Sequence, residues 1–209
     1  MTAHEAGVLN FLAHLLLAGE DEGLRLGAML GDFVRGKQAL FRHDAPTRQG
    51  IRLHRHIDAS TDALPAVKGL LAALNPPFRR YGGIIIDLLF DHHLARRWTE
   101  YSGVPLQEFD QGVRQMLAEH DAMVPERLRG FMRYADHRGL FAAYREKSEI
   151  LHSLRGVGRR LSRANPLHRV DDIWDDFEPV VANSFEPVFG EIQLEVANWL
   201  KSKSTITGS

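Results

Sequence analysis

Apolar residues recur along this chain at helical spacing, and strand-like alternation is almost absent. The densest run begins at Ile84. Its stretch Asp87-Leu88-Leu89-Phe90-Asp91-His92-His93-Leu94-Ala95-Arg96-Arg97-Trp98 predicts one helix around which the rest is organised. Ile84-Ile85-Ile86 would suit a strand, but it runs directly into the helical pattern and no partner strand is in sight. Residues 8–18 predict a nearly all-apolar, hence buried, helix with Asn10 and His14 as its polar members. Further helices are predicted over 24–35, 47–63, 65–74, 105–122, 125–134 and 139–152. Residues 37–46 read as a loop stopped by Pro46, and 168–200 as one long amphipathic stretch that Pro179 or Pro187 can break. The polar end, 201–209, is expected to fray. The fold class is all-α: a compact bundle of about eight or nine helices in a single domain over residues 1–209.

Against this pattern a few polar residues stand out because they sit on or beside apolar stretches. Asp87 and Asp91 are one turn apart, so their carboxylates leave the same helix face, and His92 follows directly. His54, Asp58 and Asp62 form a similar stripe, with Ile51, Leu53 and Ile57 as a partial apolar face. His14 lies in the apolar first helix, and Asp32 sits between Leu30 and Phe33 where the second ends. The plainer readings are a core histidine, a turn aspartate and a surface salt-bridge ladder with Arg52 and Arg55. Acids and imidazoles beside apolar runs are costly to bury unless something binds them. Converging, they make an oxygen-and-nitrogen site for manganese, magnesium, iron or zinc, among which sequence does not choose. Two adjacent His-Asp pairs, His43-Asp44 and His120-Asp121, fall in exposed, charged segments and read as decoys.

Composition narrows the chemistry. The chain has 209 residues, 44% of them apolar, and no cysteine, so disulfides, thiolate zinc sites and cysteine nucleophiles are excluded. Its formal net charge of -1 gives no global attraction to nucleic acid or anionic membrane. The first residues lack a basic leader and no apolar run reaches membrane length, so a cytoplasmic protein with no membrane insertion is expected. Residues 153–163 hold four arginines, Arg155, Arg159, Arg160 and Arg163, which would suit a phosphate or an acidic partner. Gly156 and Gly158 nearby are too little for a phosphate loop.

Taken in order, Asn10-Phe11-Leu12-Ala13-His14, Gly31-Asp32-Phe33-Val34-Arg35-Gly36, Leu53-His54-Arg55 with Ile57-Asp58 and Thr61-Asp62, and Asp87 with Asp91-His92, Leu94 and Trp98 strongly resemble the acyl carrier protein phosphodiesterase family. The likeness spans roughly residues 9–200, the arginine-rich Arg159 to Arg163 included; residues 1–8 are an N-terminal extension outside it. The resemblance implies an all-helical hydrolase, distantly like the HD-domain metal phosphohydrolases. It implies removal of 4′-phosphopantetheine from holo-acyl carrier protein with a divalent metal, manganese first and magnesium or iron as alternatives. On this reading His14, Asp32, His54 and Asp91 hold the metal. Asp58 or Asp87 orients or deprotonates the attacking water, and His92 or His54 protonates the departing serine oxygen. Arg155, Arg159, Arg160 and Arg163 face the acidic carrier protein. Two other readings compete: a phosphohydrolase of nucleotides or another small phosphodiester, and a helical carrier-binding module without catalysis.

Overall fold

The computed structural model describes residues 11–135, 139 and 141–206. The N-terminal extension, Asn10, Leu140 and the last three residues of the tail lie outside the described residues. The described residues form eleven α-helices and four short 3-10 turns, with no strand among them.

Helix α6, Gly82–Arg96, is the centre of the bundle. Twelve of its residues are buried, from Gly82 and Ile84 to Ala95. A helix that is apolar all round has to be enclosed. It is packed by α1 (Phe11–Leu17), α5 (Pro65–Ala73), α10 (Lys147–Arg160), α11 (Asp171–Ile206) and the 3-10 turn Ala142–Arg145. The expected single helix through Trp98 ends earlier. Arg97 leaves helical geometry at φ -104, ψ 18, and Trp98 opens the short α7, Trp98–Tyr101. Its buried indole donates to the Val104 carbonyl at 2.7 Å, which turns the chain toward α8, Leu106–Glu119. Helix α9 follows as Glu126–Ala135.

Helix α2, Glu22–Leu30, is capped by Asp21, whose carboxylate accepts from the Leu24 amide. It lies against α4, Ala45–Ala63, in a glycine-floored contact. A Cβ at Gly23 would overlap Pro46, at Gly27 the Thr47 carbonyl, and at Gly31 the His54 ring. One at Gly50 would overlap the Leu24 carbonyl. The stripe at i, i+4 and i+8 lets the two backbones approach closely and gives α4 only one register.

Other boundaries differ from the sequence reading too, among them the end of α2 at Leu30 instead of 35. The expected loop 37–46 contains a short helix, α3, Gly36–Leu40, entered through Gly36 at φ +80. Pro46 sits in the first turn of α4, where its missing N–H costs nothing, and Asp44 caps that helix through the Thr47 amide at 2.9 Å. The expected helix 139–152 breaks at Glu146, which is extended at φ -100, ψ 127 between the 3-10 turn Ala142–Arg145 and α10. Helix α10 starts there and continues through both glycines to Arg160.

Helix α11 is unbroken through Pro179 and Pro187, and it carries on to Ile206 where fraying was expected from 201. Each proline costs about 3 kcal/mol in a helix interior. Trp174, Phe177, Val181, Phe185, Val188, Phe189, Ile192 and Val196 are buried along one face. At roughly 1.5–3 kcal/mol per buried side chain, that face outweighs both prolines.

The glycine floor has a direct test. Gly27→Ala is expected to lower unfolding free energy by about 1–3 kcal/mol through overpacking. Gly69→Ala, exposed in α5 with open space around it, should raise it by about 0.5–1 kcal/mol. Urea unfolding measures both, and equal effects would remove the close-approach argument.

Candidate metal centre

His14 and His54 come together from opposite ends of the first four helices. His14 is fully buried in α1 beside Leu12 and Leu15. Helix α1 is held by Asp91 of α6: Oδ2 accepts from the Leu12 amide and Oδ1 from the Ala13 amide, each at 3.1 Å. These are first-turn amides with no partner inside the helix. Asp91 therefore caps α1 from 79 residues away. Burial pushes its carboxyl up to about 8, with the two amide hydrogen bonds pulling the other way.

His54 is fixed by α2. Its Nδ1 lies 2.8 Å from the Ala28 carbonyl. A carbonyl only accepts, so Nδ1 carries the proton and Nε2 is turned the other way. That Nε2 lies 3.4 Å from Asp32 Oδ1 and 3.3 Å from Asp58 Oδ2. His14 Nε2 is 3.1 Å from Asp58 Oδ1, and the two imidazoles stack with centroids 4.0 Å apart. Asp58 is the solvent-facing member, with 42% of its side chain exposed.

The charges sort themselves by environment. Burial, followed by the neighbouring His54, holds His14 below its ordinary value, so it is neutral. Burial alone would lower His54 too, but Asp32 and Asp58 outweigh it and raise the ring to about 10. Burial would raise Asp58, yet His14 and His54 hold it below the usual carboxylate range. The shared proton thus sits on His54. Asp87, half-buried one turn before Asp91, is raised well above its ordinary value by burial and then by Asp58, Asp62, Asp91 and Asp32.

The arrangement fits a divalent cation. One ligand atom each from His14, His54 and Asp58 lies within 4.8 Å of the others. Neither ring nitrogen of buried His14 has a hydrogen bond of good geometry, although Nε2 points at the Asp58 carboxylate. An unsatisfied buried imidazole is costly, and a cation in front of it removes that cost. The two-nitrogen, one-oxygen donor set suits a transition metal more than calcium.

The other expected residues are placed differently. Asp32 borders the cluster through His54. Both oxygens of Asp91 already accept amides. His92 turns toward the other side of α6, with Nδ1 2.6 Å from the Tyr144 carbonyl and its ring edge-on to Trp174. Arg155, Arg159, Arg160 and Arg163 are exposed at the end of α10, where Arg155 and Arg159 line a shallow groove with Asn165 and His168. The Tyr81 hydroxyl binds the Ala164 carbonyl there, tying this end to the start of α6. At 1.5 Å per residue that is about 15 Å along the helix from Asp91. The two decoys have structural roles: Asp44 as a cap, His120 paired to Glu22 and Asp121 to Arg129. The sequence reading missed Ala28 and Gly31, which orient and floor His54; the spacing of Gly23, Gly27 and Gly31 was its only available signal.

Comparison with known proteins decides the family. The family model described as acyl carrier protein phosphodiesterase matches residues 9–192. The chain belongs to the acyl carrier protein phosphodiesterase family. A relative of that name from Pectobacterium atrosepticum is 36% identical over 151 residues, covering 70% of this chain and 77% of its own. One from an Enterobacter species is 34% identical over 171 residues, covering 81% and 86%. One from Serratia proteamaculans is 33% identical over 156 residues, covering 74% and 80%. No solved structure matches the chain. As an acyl carrier protein phosphodiesterase family member it is a phosphodiesterase, and no helix among its described residues is long and apolar enough to cross a membrane.

The charge assignment is measurable in the metal-free protein. Because the folded pKa of His54 lies above 6.5, its contribution to stability is whole below about pH 6.5 and is lost as pH rises through about 10. Ring nitrogen shifts by NMR should show His54 as imidazolium at pH 8 and His14 neutral at the same pH. Asp58→Asn should lower the His54 pKa by about a unit or more. An unperturbed His54 titration would contradict the arrangement.

Proposed function

We propose that this chain hydrolyses the phosphodiester joining 4′-phosphopantetheine to the serine of holo-acyl carrier protein, releasing apo-carrier protein and free 4′-phosphopantetheine. We further propose that it needs a divalent cation, manganese first, held by His14, His54 and Asp58 with Asp32 beside them. One observation carries the metal reading: the buried His14, with neither ring nitrogen in a hydrogen bond of good geometry, faces Asp58 and stacks on His54. The family relatives' names support the substrate.

A cation there supplies Lewis-acid chemistry, activating water at neutral pH and neutralising charge on phosphoryl oxygens. The chain's own groups do the rest. The Ala28 carbonyl keeps His54 Nε2 aimed at the cluster, and Asp32 keeps it aligned. Asp58 faces solvent, where it can orient a water toward phosphorus. As the new oxygen–phosphorus bond forms, the bond from phosphorus to the serine oxygen breaks, and that oxygen takes a proton. Asp87, whose burial and neighbouring carboxylates favour its protonated form, is the group suited to supply it. His92, held by the Tyr144 carbonyl, steadies α6 instead of meeting substrate. Asp91 acts through α1, placing His14 one residue beyond the amide it binds.

Mass spectrometry of holo-acyl carrier protein after incubation with this protein and manganese tests the proposal. The phosphopantetheine mass should be lost, and EDTA should prevent the loss. His14→Ala and Asp58→Asn should each slow it by about a hundredfold or more while leaving the protein folded. Unchanged carrier protein across several metals would turn the reading toward a small phosphodiester.

A further inference from the structure

The surface beside the metal centre is far more cationic than the chain as a whole. Between residues 33 and 55 there are six cations, Arg35, Lys37, Arg42, Arg48, Arg52 and Arg55, and a single acid. That acid, Asp44, is spent on capping α4. The net charge of the whole chain is only -1. Elsewhere, exposed cations commonly meet carboxylates, as Arg97 does Glu100 and Lys147 does Asp171. Lys37, Arg42 and Arg52 have no carboxylate partner among the described residues. The same face carries Phe41, a large apolar side chain 54% exposed. The Arg48 guanidinium lies 5.6 Å above its ring.

This face adjoins the chemistry directly. Helix α3 begins four residues after Asp32, and Arg55 donates to the Val34 carbonyl in the connecting segment. On α4 the stripe Arg48, Arg52, Arg55 runs beside the stripe His54, Asp58. Resting on the carrier-protein reading above, we propose that α3 and the first half of α4 form the docking surface for the acidic face of the carrier protein. The scissile bond starts at a serine on the carrier's own surface. The contacting face must therefore border His14, His54 and Asp58, which the α3–α4 face does. The arginine end of α10 is tied instead to the start of α6, through Tyr81. Cations pull in an acidic partner and set its register, and Phe41 gives the contact an apolar centre.

The test compares Lys37→Glu/Arg42→Glu with Arg155→Glu/Arg159→Glu, scoring KM and kcat on holo-acyl carrier protein at several salt concentrations. All four side chains are exposed, and melting curves check that both variants fold. The α3 double variant should raise KM about tenfold with kcat within about twofold, and flatten the salt dependence. The α10 variant should behave as wild type. A larger KM effect from the α10 variant, or a wild-type KM in the α3 variant, overturns the proposal. Phe41→Ser should raise KM in the same direction, and its indifference would remove the apolar centre. Failure of the underlying reading looks different: wild-type protein would cleave bis(p-nitrophenyl) phosphate yet neither bind nor cleave holo-acyl carrier protein.

Discussion

A carboxylate buried in an apolar helix bundle must be satisfied by something, and Asp91 is satisfied by backbone. Its two oxygens take the first-turn amides of α1. Those amides would otherwise be orphaned in the core, at about 1–3 kcal/mol each. The bond serves both partners and fixes α1 against α6 at one height and one rotation. His14 is the next residue after Ala13, so its position is a consequence of where Asp91 lies. The acid that stands out beside His92 in the sequence is, in three dimensions, the fastening of the helix that carries His14.

The second half of the site depends on absence of side chains. Gly23, Gly27 and Gly31 let α4 lie flush on α2, and the Ala28 carbonyl then reaches His54 Nδ1. With Nδ1 committed, Nε2 can face only Asp32 and Asp58. Burial keeps His14 neutral while two carboxylates keep His54 charged. The site is thus a stacked imidazole pair with a single shared proton, facing solvent through Asp58 and, to a lesser extent, Asp32. A cation would take over the role of that proton, and its binding would release it. The core of the bundle and the chemistry of the site are set by the same few helix crossings.

Much of this was legible in the sequence because it is local. The all-α class, the enclosed character of Ile84 to Ala95 and the one-turn spacing of His54 and Asp58 follow from periodicity and burial. His14 in an apolar helix was legible as an anomaly, and both His-Asp decoys were legible from their exposed surroundings. The directions in which Asp91 and His92 point were not. Which way each faces depends on partners 79 and 52 residues away, the α1 amides and the Tyr144 carbonyl. Helix α11 defeated the proline rule because its buried face outweighs two missing amides. The α10 arginines stood out as a charge run, while the α3–α4 cations were spread too thinly along the chain to look like one surface.

The central claim is that Asp91 and the glycine floor bring His14, His54 and Asp58 to a single cation. The most direct measurement is anomalous diffraction from crystals grown with manganese. One peak within bonding distance of His14 Nε2, His54 Nε2 and an Asp58 oxygen is expected, with Asp91 still on the α1 amides. A peak bonded to Asp91 or His92, with His14 left outside the coordination, would contradict the account.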